Sequence, residues 1–470
     1  MLSALAQQKA DIEPELQQAN AFYAEGRVEE AKATYLAALA KDPTHFTALN
    51  NFGTLCLETG YRSAARTLYE EALRHHPGNR VAHVNFANLR YSDGNLAAAL
   101  LHYTAALRLD VNCIEAHRGM GNVLADLGQE EAAETHRSFA YSQQPVIPMR
   151  FTGKKPGVKL LILFAATGGN IPTKPLIDQQ KFEVTTVAAD FFDPAQDLPP
   201  HTLIFNAAGD ADRSVKALQR AELLLTRTTA PVINHPSAVL TTNRAAIAAR
   251  FSGWPGIVTP RTVTLAKDGF LPENLEKTLA EHALGFPFLL RAPGFHTGQY
   301  FLKIDTPSDL DAALADLPGS QIMAIEYLEA RGADGLYRKY RTMMIGGVLY
   351  PLHLALSRNW KVHYFSADMA EAPLHRAEEE AFLADMPGVL GPSVMAGLEA
   401  ITRELCLDYG GMDFAVSANG EILLFETNAT MVIVEPDSDP RWAYRRAPFL
   451  HVRDAVYDML NSRLAPIPEL

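Results

Sequence analysis

A 34-residue period constrains this chain more than any other feature. Gly26, Gly60, Gly94 and Gly128 lie 34 residues apart, and Ala31, Ala65, Ala99 and Ala133 keep the same spacing. Ala38, Ala72, Ala106 and Ala140 run in phase with them. Tyr35, Tyr69 and Tyr103 form another column, which Arg137 breaks; Pro43, Pro77 and Pro145 form the last, with Val111 in the remaining slot. Agreement of these columns in one phase means one small unit copied four times. Such a unit cannot bury its apolar face alone, so the copies must stack and share a continuous core.

The register resembles the tetratricopeptide repeat, over about residues 12–147 in four copies. The resemblance implies an α-solenoid with a concave face. Each repeat would be two helices joined by a turn at the glycine, with alanines at close helix contacts and the proline ending the second helix. His136-Arg137-Ser138 stand where an interior repeat is apolar, which suits a cap. Asn51 and Asn85 share one position of the first helices; Asn20, Asn88 and Asn122 share the position three later, on the same face. An amide both donates and accepts, so the set resembles the asparagine ladder with which O-linked GlcNAc transferase grips a peptide backbone. Inter-helix packing accounts for the same asparagines equally well. Gln17 and Gly119 replace asparagine in the first and last repeats, so any ladder is short.

At 470 residues the chain exceeds one ordinary core. Residues 1–147 hold 12 Lys and Arg against 17 Asp and Glu, and the remainder 30 against 37, so the net charge of −12 is spread over both parts. The absence of a basic block argues against a nucleic-acid surface. Cys56, Cys113 and Cys406 have no CxxC spacing, which fits a reducing compartment and implies no disulfide framework. No apolar run reaches the length of a membrane span and no signal pattern opens the chain, so the expectation is a cytoplasmic protein that uses no membrane.

Residues 148–157 read as a linker rich in Pro, Gly and Lys. Strands are expected at 158–164, 182–189, 202–207 and 231–234, with helices near 211–227 and 237–251. This alternation suggests a small open α/β unit over 158–236. Gly168-Gly169 after the first strand reads as a plain turn or as a turn facing a ligand. Two further strands, ending at Arg291 and beginning at Tyr300, enclose a short glycine-bounded turn, a flap that can lie over phosphates. Ile322–Leu328 reads as an apolar strand.

Gly410-Gly411-Met412-Asp413-Phe414 and Ile422-Leu423-Leu424-Phe425-Glu426-Thr427-Asn428 read as a hairpin closed at Asn419-Gly420. Glu426 and Asn428 are two apart and face one side. With Asp413 they form an oxygen-only set that suits Mg²⁺ bound with substrate phosphates, or an ordinary polar hairpin face.

The order of these parts over most of residues 158–430 resembles the ATP-grasp superfamily, closest to glutathione synthetases and ribosomal-protein glutamate ligases. The resemblance implies an α/β pre-domain, then at 237–470 a glycine-flap subdomain and a C-terminal antiparallel-sheet subdomain. It implies ATP and Mg²⁺ as cofactors, with Asp413, Glu426 and Asn428 as metal ligands. Arg291 sits where the family usually carries a phosphate-binding lysine, and Arg244 where it carries another nucleotide-contacting lysine. Gly294 to Gly298 match the flap turn. Glu326, Tyr327 and Leu328 match the adenine-facing hinge, Asp334 a ribose-facing position, and Arg341 a cation that meets the transferred phosphoryl group. Arg341 also reads as a surface salt bridge.

The implied activity is a carboxylate–amine ligase working through an acyl phosphate, on a peptide or protein recruited by the repeats. Such transfer needs charge neutralisation rather than a protein nucleophile. Arg358, Trp360 and Lys361 line an acceptor site or belong to a solvated hairpin. A scaffold with a degenerate nucleotide domain and a phosphotransferase of the same fold are the rival readings.

Overall fold

The computed structural model describes residues 12–293, 298–362 and 367–464. The chain divides into two compact units: residues 1–159 with 179–196, and residues 160–178 with 197–470.

The first unit opens with eight consecutive helices: Glu13–Ala24, Val28–Lys41, Phe46–Glu58, Arg62–His75, Arg80–Ser92, Leu96–Leu109, Ile114–Asp126 and Glu130–Gln143. All four period glycines adopt the left-handed backbone, with φ from 74° to 87°. At the first of them, the Gly26 amide donates to Tyr23 O at 3.1 Å and the Arg27 amide to Phe22 O at 2.8 Å. These two bonds close the helix end in a conformation that favours glycine. The alanine columns are fully buried, and Tyr35, Tyr69 and Tyr103 are buried with them. Two of the tyrosines fill space left by a glycine: a Cβ at Gly53 would lie 2.7 Å from Tyr69 Cε1, and one at Gly119 2.1 Å from Tyr103 Cζ.

Arg137 departs from the expected polar cap. It is 2% exposed. Its stem packs on Gly121, where a Cβ would lie 2.9 Å from Arg137 Cγ, and its guanidinium donates to Glu130 at 2.6 Å. A long aliphatic stem thus takes the tyrosine position, and the buried guanidinium is held by the more exposed Glu130.

The segment expected as a linker begins in a strand. Val146–Pro148 pairs antiparallel with Phe182–Ala188, Val146 opposite Val187. Residues 149–157 hold no helix or strand.

In the second unit, Val158–Phe164, Leu203–Asn206 and Val232–Ile233 pair in parallel. The helix expected at 211–227 is Val215–Leu225, because the Asp210 carboxylate accepts the amides of Asp212 and Arg213 and holds a turn before it. The helix expected at 237–251 is two, Pro236–Leu240 and Arg244–Arg250; the Asn243 side chain accepts the Ala246 amide at 2.9 Å and caps the second.

A four-stranded antiparallel sheet follows, ordered Thr262–Ala266, Gln321–Glu326, Phe288–Arg291, Phe301–Ile304. Phe270, Phe288, Leu290 and Ile322 form its core. A five-stranded sheet completes the unit, ordered Val348–Ser357, Tyr337–Ile345, Tyr409–Val416, Ile422–Asn428, Ile257–Val258, with only the last pairing parallel. Tyr340 stacks on Phe414 and meets Phe382 of the helix Pro373–Ala384 edge-on, so one face of this sheet is apolar and helix-covered. Period-two alternation sends Arg341 and Asp413 to the other face. Among the described residues no single helix is long and apolar enough to cross a membrane.

Candidate functional site

Four neighbouring strands place a row of ionisable side chains across that second face. His353 lies opposite Arg341, Arg341 opposite Asp413, and Asp413 opposite Glu426. A register shift between Asp413 and Phe414 puts Leu424 opposite Phe414, so Phe425 is the extra residue of a bulge. Strict pairing continued from Phe414 opposite Leu424 would put Phe425 opposite Asp413 and break the carboxylate row. Asn428 lies opposite Gly411, one step along the same face.

Each carboxylate is met by cations. Arg341 donates to both oxygens of Asp413, at 2.6 and 2.7 Å, and Lys339 Nζ lies 3.0 Å from Oδ2. Arg244 donates to Glu426 Oε1 at 2.5 Å and approaches Asp212 at 3.6 Å. The Asn428 amide donates to the same Glu426 oxygen at 2.9 Å, while its carbonyl accepts both N and Oγ1 of Thr430. Burial acts to raise the Asp413 carboxyl, but Arg341 and Lys339 outweigh it and hold the group far below the usual carboxylate range. A contact pair is worth about 4 kcal/mol at an effective dielectric near 20, so two cations suffice. Glu426 is likewise raised by burial and brought below its ordinary value by Arg244. Both groups are therefore ionised at neutral pH.

Arg291 is buried at the end of its strand. Burial, then the charge of Arg244, lowers it to about 10. His353 is held well below its ordinary value by burial and by Arg341, so it is neutral.

These residues line one cavity of about 970 Å³ in the second unit. Eight Lys and Arg line it against six Asp and Glu, in a chain of net charge −12. A cation excess in so acidic a chain marks a place for anions. Leu289, Ile325 and Leu424 supply an apolar wall, beside Glu326, Tyr327 and Leu328. The Glu326 carboxylate accepts the amide of Arg261 at 3.1 Å and its guanidinium at 2.5 Å, which ties this acid to the residue just before the neighbouring strand Thr262–Ala266. Trp360 packs edge-on against Phe301 and Tyr327. Lys361 donates to Phe301 O at 3.2 Å, over Gly298, where a Cβ would meet Lys361 Cε at 2.7 Å. Gly298 and Lys361 both line the cavity; Gly294 lies outside the described residues.

Two expected residues lie elsewhere. Asp334 is absent from the cavity wall: Arg338 takes both its oxygens, at 3.1 and 2.7 Å, and turns it outward. Arg358 is exposed and off the wall, since strand alternation breaks at the bend that follows Ser357. Lys339 was legible from its position two before Arg341 on one strand, and Asp212 had no sequence signal.

In the repeats the asparagines bond to each other. Asn85 donates to Asn50 at 2.7 Å, Asn50 to Asn51 at 3.2 Å, and Asn51 to Asn20 at 3.1 Å. Asn20 and Asn88 also accept the hydroxyls of Tyr35 and Tyr103. The ladder residues Asn51 and Asn85 are thus engaged in stitching successive repeats.

A tetratricopeptide repeat family model matches residues 16–80 and 57–110. The first unit carries tetratricopeptide repeats. MamA from Desulfovibrio magneticus RS-1 is 21% identical, covering 28% of this chain and 77% of its own, with a TM-score of 0.26. A tetratricopeptide repeat protein from Parabacteroides merdae is 24% identical, covering 28% of this chain and 53% of its own, with a TM-score of 0.27. No curated protein matches the chain.

Proposed function

We propose that the second unit is an ATP- and Mg²⁺-dependent ligase of ATP-grasp type that joins a carboxylate to an amine. One observation carries this reading. Asp413, Glu426 and Asn428 share a cavity with Arg244, Arg291, Lys339 and Arg341, and an apolar wall adjoins them. The donor set fits the metal: two ionised carboxylates and an amide carbonyl are hard oxygen ligands. Among the described residues no group of three or more His, Cys, Asp or Glu is disposed to hold a metal alone. A divalent ion here would need further oxygens, which a triphosphate provides. Magnesium, when bound, would neutralise phosphate charge and align it for transfer.

The chain's own residues then have defined tasks. Arg341 and Lys339 release Asp413 and turn to phosphoryl oxygens, and Arg244 does the same from Glu426. Leu289, Ile325 and Leu424 bury the base, beside the hinge. The substrate carboxylate attacks the γ-phosphorus, and the bond to the ADP oxygen breaks. The amine attacks the acyl carbon, loses a proton, and phosphate departs. Preorganised cations stabilise the charge that develops in both steps. The repeat unit delivers a peptide or protein substrate.

Asp413→Asn or Glu426→Gln is expected to lower ADP release at least about 10³-fold, a loss typical of removing a metal or charge anchor. Unchanged turnover in the double variant overturns the ligase. The closure of both carboxylates by cations favours a second reading, a scaffold whose nucleotide domain has lost turnover. Calorimetry separates them: the scaffold shows no heat with ATP and Mg²⁺ at millimolar concentration.

A further inference from the structure

Beyond Asn428 the chain turns at residues 429–430 and then lines the cavity in neither helix nor strand. Met431 is fixed first: its carbonyl accepts the Tyr409 hydroxyl at 2.7 Å, and its side chain packs over Gly411, where a Cβ would lie 2.7 Å from Met431 Cγ. Burial then alternates with period two. Met431 and Ile433 are buried, while Val432 and Val434 are 41% and 55% exposed and line the cavity. This is the pattern of a strand with one face on a core. Yet Val432, Ile433, Val434 and Glu435 belong to no sheet, and none of their amides or carbonyls hydrogen-bonds within the chain among the described residues. Three of these four residues are exposed, so their amides and carbonyls are open to solvent or to a ligand at the cavity wall.

The same cavity is lined in part by aromatic side chains. Trp442 is stacked under Arg445 at 4.1 Å, and Arg445 is itself held by Glu379. Phe449 and Met369 line the same region.

We propose that the Val432–Glu435 segment is a docking strand for an extended peptide, which adds to it by main-chain hydrogen bonds. Alternate apolar side chains of the peptide rest on Val432 and Val434 and face Trp442. The segment spans about 10 Å, enough to pair with three or four peptide residues. It shares its cavity with the Asp413–Glu426 row, so a peptide held there presents a carboxylate to the phosphate-ready cations. That destination rests on the ligase reading; the pairing does not. Tetratricopeptide repeats in the same chain make a peptide the fitting occupant.

The test uses the full chain and a pool of octapeptides, valine at alternate positions, randomised elsewhere, with a free C-terminal carboxylate. Amide hydrogen exchange is followed by mass spectrometry over residues 432–435, with and without the pool. At least tenfold protection is expected on binding. Backbone N-methylation of the bound members at alternate residues abolishes it in one of the two registers. Val434→Asp, at an exposed position, lowers peptide affinity at least tenfold with unchanged melting and ATP affinity. Three results overturn the proposal: no member bound at millimolar concentration; binding with unchanged exchange or undiminished by N-methylation; or protection without peptide that rises with protein concentration, which means a second copy occupies the strand. Calorimetry with ATP and Mg²⁺ on the same sample keeps the two ideas apart. Protection without nucleotide binding leaves the docking strand and removes the ligase. ADP release without protection does the reverse.

Discussion

The two units satisfy their buried polar groups by different means. In the repeats many of the partners are uncharged side chains, asparagine meeting asparagine and tyrosine hydroxyl meeting amide, with buried Arg137 held by Glu130 as the exception. The second unit has neutral pairs too, such as Asn234 with the Tyr409 backbone, and adds buried ions held by opposite ions, as in Asp413 with Arg341 and Lys339, or Glu379 with Arg445. Neutral pairs lock one geometry, and nothing that binds is needed to break them. Ion pairs in a cavity are exchangeable, because a ligand that brings its own charge can take either partner. The repeats are thus built to stay as they are, and the cavity is built to be rearranged.

Four substitutions or conditions break that comparison, from the largest effect down. Arg445→Met leaves the Glu379 carboxylate buried without its cation, and is expected to destabilise the second unit by about 3–5 kcal/mol. Glu379→Gln added to it should recover most of the loss in denaturant unfolding. If the single variant melts normally, the ion-pair account of this unit fails. Tyr69→Ala removes a buried ring from the repeat core and should cost about 3–5 kcal/mol there, leaving nucleotide binding in place; a uniform loss across both units would mean they unfold as one. Asn51→Ala with Asn85→Ala removes two neutral inter-repeat bonds. A loss of about 1–2 kcal/mol in repeat stability is expected, and unchanged melting would return these asparagines to a ligand-binding role.

The smallest effect concerns acid. Burial, aided by His83, holds His102 below its ordinary 6.5, and burial with His117 does the same for His136. The unfolded chain therefore binds protons that the folded repeats resist. Stability should fall as pH drops below about 6.5, levelling once the folded groups also titrate. His102→Leu, the residue its repeat-equivalent Leu68 already carries, should flatten the profile of melting temperature against pH. Asp413 and Glu426, held below their ordinary values, should contribute nothing in this range. An equal slope in a His102→Leu, His136→Leu variant would place the sensitive group elsewhere.

The repeats were legible because every residue type in a column does the same job in each copy. Gly26 and its equivalents turn the chain, the alanines permit close approach, and the tyrosines fill the spaces over Gly53 and Gly119. Arg137 was misread as a cap since its type says polar while its stem packs as a hydrophobe. In the second unit the hairpin of Asp413, Glu426 and Asn428 was readable from alternation and the Asn419-Gly420 turn. Its bulge at Phe425 was not, because a register shift leaves no trace in one strand's pattern. Asp334 and Arg358 were placed by order along the chain, and order does not say which neighbour claims a side chain.

Period, helix count and strand alternation were determined by the sequence, because each depends on contacts between residues close in the chain or repeated along it. Tertiary structure alone decided which ions meet. Arg244 reaches Glu426 across 182 positions, and Lys339 reaches Asp413 across 74. It also decided that Val432–Glu435 is left outside any sheet beside them. Electrostatic and backbone pairing act through space, and a sequence carries no distance between residues that the fold brings together.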